Sequence, residues 1–225
     1  DTDATDYGGS ITFTSTATID QAHSLTLISG AGDIALQGAI GGGTAIGNLS
    51  INATDGDDGN IEIANIGDAT GVGVTGTVSI GNSDTAELKL DGTIYSTDGV
   101  TIYESAAGGT IKLTGASVTV STAADNLTFD NGDLVLSTDG TTTISTTAAG
   151  AGDIQIDGKI DGTTGTGNGS EALVITSGTG STTIDGAIGS GNPVTTITIG
   201  SSGTGAIGLL AIGDGSGYGA TGAVA

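Results

Sequence analysis

Apolar residues fall at alternate positions in short runs along nearly the whole chain. The runs cover 11–13, 25–27, 34–36, 49–51, 61–63, 78–80, 88–90, 100–102, 111–113, 118–120, 127–129, 134–136, 154–156, 173–175 and 197–199. In each run two side chains point one way and the middle one the other, the period of a short half-buried strand. Glycine and small polar residues separate the runs, as in Gly32-Asp-Ile-Ala-Leu-Gln-Gly38 and Gly152-Asp-Ile-Gln-Ile-Asp-Gly158. Helix is disfavoured over most of the length. Thr, Ser, Gly, Asp, Ile and Val dominate, while Glu, Lys, Arg, Gln and Met are scarce or absent.

The runs repeat. At an offset of 148, Leu25-Thr-Leu-Ile-Ser-Gly30 aligns without gaps on Leu173-Val-Ile-Thr-Ser-Gly178. The same register carries Gly38-Ala-Ile-Gly41 onto Gly186-Ala-Ile-Gly189 and Leu49-Ser-Ile51 onto Ile197-Thr-Ile199. A nearer copy, Gly150-Ala-Gly-Asp-Ile154, repeats Gly30-Ala-Gly-Asp-Ile34. Following one strand type yields a ladder Ile34, Ile61, Leu88, Ile111, Leu134, Ile154, Thr182, Ile207, with steps of 20 to 28 residues. One turn of a parallel β-helix with two or three short strands fits that step. The expected fold is therefore all-β, a parallel β-helix (β-solenoid) of about eight irregular coils. At about 4.8 Å per turn, it is a rod roughly 40 Å long. Inward Ile, Leu and Val form columns, outward Thr, Ser and Ala suit a flat surface, and glycine permits the corners. Phe13 and Phe129 read as core fillers and Pro193 as a corner residue. A β-sandwich is the competing all-β architecture, but it would carry longer strands and more aromatics.

Charge narrows the partners. Twenty-five acidic residues face three lysines and no arginine, for a formal net charge of -22. Phosphate recognition and anionic membrane surfaces both need basic side chains, so neither nucleic acid nor membrane is an expected partner. No apolar run approaches a bilayer-spanning length. Such acidity with few aromatics suits a disordered chain, but the sustained alternation of Ile, Leu and Val opposes that reading. The absence of methionine and cysteine suggests a processed product or a segment of a longer protein, in an oxidising, exposed setting.

Candidate chemistry is sparse. His23 is the only histidine, which excludes a multi-histidine zinc site within this chain. There is no cysteine nucleophile, and Lys89, Lys112 and Lys159 are scattered over different repeats. Paired carboxylates for glycan chemistry are available at Asp55, Asp57, Asp58 and Asp68, and at Asp157 with Asp161. Corner and solubility roles explain these aspartates more simply, and no enzyme activity is expected. Calcium is the better use of Asp55-Gly-Asp-Asp-Gly-Asn60, which clusters oxygen ligands in a turn. Asp55, Asp57 and Asp58 are the first-choice ligands, with Asp33, Asp153 and Asp214 secondary. Asn48, Asn52, Asn126 and Asn168 satisfy the N-glycosylation triplet rule.

The stretch Leu25-Thr-Leu-Ile-Ser-Gly-Ala-Gly-Asp-Ile-Ala-Leu-Gln-Gly-Ala-Ile-Gly41 resembles the repeats of filamentous-haemagglutinin-like and autotransporter-like bacterial surface proteins. The resemblance implies a secreted right-handed β-helix serving adhesion or a long surface fibre. It is a likeness to a repeat region, without a secretion-signalling domain or membrane barrel. The expected organisation is a solenoid over 1–212, with Asp1-Thr-Asp-Ala-Thr-Asp6 as an acidic cap, and a Gly/Ala-rich segment over 213–225. The expected function is an extracellular or cell-surface structural element that self-associates into a homopolymer. An adhesin module that binds a glycan or surface protein is the alternative, with 65–77 and 162–171 as its candidate loops.

Overall fold

The computed structural model describes residues 9–53, 59–123, 125–136, 140–147, 151–163, 171–201, 203–213, 220 and 223–225. It is an all-β parallel solenoid, with no helix among the described residues. The strands in chain order are β1 (Ile11–Phe13), β2 (Leu25–Ile28), β3 (Ile34–Leu36), β4 (Leu49–Asn52), β5 (Ile61–Ile63), β6 (Val78–Ile80) and β7 (Glu87–Leu90). They continue as β8 (Ile94–Thr97), β9 (Thr101–Glu104), β10 (Thr110–Leu113), β11 (Thr119–Thr122), β12 (Leu127–Asp130), β13 (Asp133–Leu136) and β14 (Thr141–Thr146). The last are β15 (Ile154–Ile156), β16 (Ile160–Gly162), β17 (Ala172–Ser177), β18 (Thr182–Ile188), β19 (Thr196–Gly200) and β20 (Ile207–Ile212).

Three faces enclose one core. The first stacks β1, β3, β5, β7, β10, β13 and β16, and the second stacks β2, β4, β6, β9, β12 and β15. The long strand β18 bends from the second face onto the first, and β20 follows it. The third face stacks β8, β11, β14, β17 and β19. In the earlier coils it is present only as single bridges, Ile19–Ile40–Ile66–Tyr95 and Ile46–Val74–Thr97. Every strand pairing is parallel, as a chain winding one way must produce.

Alternation sets the core. On the first face Ile11, Ile34, Ile61, Leu88, Ile111, Leu134, Ile160, Ile188 and Ile212 form one inward column of eight coil-to-coil steps. The expected ladder follows this column to Leu134 and then leaves it. Ile154, Thr182 and Ile207 belong to the second face, stacked on Leu127. The step of 20 between Leu134 and Ile154 is short because it stops one face early; the true steps are 26 and 28, to Ile160 and Ile188. The offset-148 repeat likewise matches unlike faces, since Leu25 lies on the second face and Leu173 on the third. The sequence repeats a corner-plus-strand unit, and that unit serves any face.

One run has the opposite parity from expectation. Val100 is exposed and Ile102 faces outward, while Thr101 and Tyr103 are buried. Thr101 stacks in the Leu25–Leu49–Val78 column, and Tyr103 stacks on Phe129 with ring centroids 5.4 Å apart. The large ring fills the core better than Ile102 would. Phe129 is fully buried as expected, and Phe13 packs against the core at its first coil.

Candidate functional site

Among the described residues, the candidate side chains occupy corners and outward positions, and most of the aspartates are committed to the fold. At a corner the chain leaves the strand ladder, so backbone N–H groups need other acceptors. Side-chain oxygens of the preceding coil provide them. Asp33 Oδ1 accepts from Asn60 N at 2.9 Å, and Asp153 Oδ1 accepts from Ser181 N at 2.7 Å. Asn48, Asn65, Asn126, Asp133 and Asp161 act likewise on Thr77, Thr93, Asp153, Lys159 and Gly191 at 2.8–3.0 Å. Asp20 accepts from Gly43 and Thr44, and these backbone donors hold its carboxyl below the usual aspartate value. Asp68 caps its own loop, accepting from Thr70 and Gly71, and is lowered chiefly by the Thr70 hydroxyl.

These contacts separate the carboxylates that spacing had paired. Asp157 accepts from Gln155 Nε2 at 2.7 Å on the second face, whereas Asp161 caps a corner of the first. Asp33 and Asp153 bracket successive coils and do not converge. Asn48 and Asn126, two of the glycosylation triplets, use their side-chain oxygens in the same way. His23 lies on an exposed corner, where its backbone carbonyl accepts from Gly47. Asp55, Asp57, Asp58, Asn168 and Asp214 lie outside the described residues. Among the described residues no group of three or more His, Asp or Glu side chains is placed to hold a metal ion.

The three lysines, scattered in sequence, all lie on the first face. Lys89 and Lys112 are direct partners on β7 and β10, and Lys159 immediately precedes β16. Lys89 pairs with Glu62 at 3.2 Å and with Asp91 at 3.1 Å; Lys112 pairs with Glu87, and Lys159 approaches Asp133 at 3.7 Å. Partial burial works against the Lys89 charge, but Asp91 and Glu62 outweigh it and raise the ammonium above the usual lysine value. Asp91 is lowered, first by the hydrogen bond from Thr114 and then by Lys89. Next to these pairs, small Ala35 leaves a shallow groove of about 270 Å³ lined by Asp33, Asn60, Glu62, Glu87 and Lys89. Its polar groups suit hydroxyl-rich or cationic ligands. Sequence distance hid this grouping, because the coil brings residues 23 to 27 apart into contact.

The second face carries the opposite pattern. Glu104 and Asp130 are direct partners on β9 and β12, and Asp157 and Asp185 follow Ile156 and Ile184 on the next rungs. None of the lysines pairs with this row. Burial, the hydrogen bond with Asp157 and the charge of Glu104 together raise the Asp130 carboxyl above the usual aspartate value.

No family model, curated protein or solved structure matches the chain. No helix among the described residues is long and apolar enough to cross a membrane.

Proposed function

We propose that the chain is a structural subunit or segment of an extracellular fibre, sheath or stalk that associates with itself coil upon coil. The supporting observation is strand β20. Ile207, Leu209 and Ile212 continue columns that are buried in the preceding coils, yet they are 44%, 40% and 38% exposed. Among the described residues β20 pairs with β18 alone, which leaves its other strand edge open. An open edge flanked by apolar side chains is a template for another parallel strand, and a head-to-tail contact that closes no ring propagates into a filament. The resemblance to bacterial surface repeats points to the same use. In this reading Asp33, Asp133, Asp153 and Asp161 bracket coils, Asp91 balances a lysine, and no residue is assigned a catalytic role.

The test is sedimentation velocity of the purified chain over a concentration series. Mass rising with concentration, and lost in the Ile207→Asp/Leu209→Asp variant, is the expected result. A single small species at every concentration would rule the reading out. The groove over Ala35 favours adhesion as a second reading, with a neutral glycan as its ligand. Glycan binding that Glu62→Ala and Lys89→Ala weaken, with no self-association, is the outcome that would select it.

A further inference from the structure

The second inward column of the first face runs Phe13, Leu36, Ile63, Leu90, Leu113, Leu136 and then Gly162. At Gly162 the column has no side chain, and the carboxyl group of Glu171 lies beside it. Glu171 is only 2% exposed. Its Oε1 accepts from the Thr163 backbone at 3.3 Å and from the Thr163 hydroxyl at 2.9 Å, which fixes the plane of the group. Its Oε2 is buried and has no hydrogen-bond partner among the described residues. The point where a Gly162 β-carbon would stand is 3.4 Å from that oxygen and 2.7 Å from the carbonyl oxygen of Pro193. Both oxygens therefore converge on the buried side of Gly162. On the next rung Thr195, whose N–H donates to the Glu171 carbonyl at 2.8 Å, has a buried hydroxyl that also lacks a partner.

An ionised carboxylate enclosed in this way needs a positive partner, since an unpaired buried charge is strongly disfavoured. The chain has none to supply. It contains no arginine, its three lysines are engaged with Glu62, Asp91, Glu87 and Asp133, and His23 lies on a corner of the first coil. We propose that Glu171, with the Pro193 carbonyl, binds a hard cation, for which Ca2+ is the probe, beside Gly162. A carboxylate and neutral oxygens are the donor types such a cation takes. With one carboxylate, the affinity falls at the weak end of protein calcium sites, on the order of 10⁻⁴ to 10⁻³ M. The ion would pin the first-face-to-third-face corner of one coil to that of the next.

The test is thermal unfolding and calorimetric titration of the whole chain with CaCl2, against MgCl2 at equal ionic strength to remove general screening of the acidic surface. Glu171→Gln keeps the shape and removes the charge, and Glu171→Leu supplies the missing apolar side chain. A third variant, Asp55→Asn/Asp57→Asn/Asp58→Asn, removes the three aspartates between Ala53 and Gly59. The expected result is a calcium-specific rise in Tm that the third variant keeps. Glu171→Gln, folded by circular dichroism, should lose it, with calcium binding weakened at least tenfold. Unchanged calcium affinity in Glu171→Gln would overturn the proposal. So would a wild-type chain indifferent to calcium, whether or not Glu171→Leu stabilises it.

Discussion

Residue by residue, the main departure from a simple apolar core is a column of hydroxyls. Ile46 and Val74 are continued on the third face by Thr97, Thr122, Thr146 and Ser177, all buried. Thr122, Thr146 and Ser177 donate to the carbonyls of Asp125, Gly152 and Gly180 at 2.6, 2.9 and 2.7 Å, and Thr97 bonds to the Thr101 hydroxyl at 2.6 Å. Each hydroxyl satisfies groups at the turn onto the second face, so threonine inside the rod substitutes for a ladder bond. Two tyrosines test this logic of satisfaction. Tyr95 donates to the Ile63 carbonyl at 2.8 Å and accepts from Gly92 N at 2.6 Å, whereas the Tyr103 hydroxyl is buried without a partner. Burial pushes both phenols far above the usual tyrosine value, so both stay neutral throughout the working pH range. Tyr95→Phe should cost about 1–3 kcal/mol in denaturant unfolding, while Tyr103→Phe should be neutral or stabilising. Equal losses in both would show that ring packing alone decides.

At the scale of the element, alternating apolar pairs made most strands legible in the sequence, whereas β8 and β14, in which threonine takes inward places, were not. β14, Thr-Thr-Thr-Ile-Ser-Thr, buries Thr142, Ile144 and Thr146, and its single isoleucine leaves no alternation to read. Which face a strand joins was equally hidden, because the same corner-plus-strand unit recurs on all three. The corners themselves were readable as glycine. At Gly158 a β-carbon would fall inside van der Waals contact with the Gly132 carbonyl of the preceding coil, while at Gly200 nothing lies within 4 Å. Gly158→Ala must spread two coils and should lower stability by about 1–3 kcal/mol or more. Gly200→Ala should change it little, and urea midpoints of the two variants make the comparison.

The acidic row on the second face gives this element a pH dependence of known sign. Asp130 is raised, so it binds its proton more tightly in the coil than in the open chain. Its contribution is full at low pH and is lost as pH climbs through the folded value. Asp20, Asp68 and Asp91 are lowered, so theirs is present above the ordinary aspartate value and lost as pH falls through the depressed one. Stability should therefore peak in the mildly acidic range, and Asp130→Asn should flatten the decline towards neutral pH. Tm profiles from about pH 3 to about pH 8 at fixed salt check this. A Tm that keeps rising through neutrality, with Asp130→Asn no different from the parent, would contradict it.

Over the whole molecule, charge is sorted by face. The five strands of the third face carry no Asp, Glu, Lys or His, the first face carries all three lysines with their acids, and the second carries the carboxylate row that no lysine balances. A net charge of -22 repels copies that approach by their acidic flanks, while the apolar coil end carries far less of that penalty. Coil count and rod architecture could be anticipated from periodicity, because a solenoid writes its period into the chain. The grouping of the lysines could not, because it depends on the register between coils. The most direct measurement is electron microscopy with fibre diffraction of the purified, concentrated chain. Filaments of constant single-rod width, with the reflection at about 4.8 Å lying along the filament axis, are the predicted result. Discrete short rods at every concentration, or a 4.8 Å reflection perpendicular to the axis, would contradict coil-upon-coil assembly.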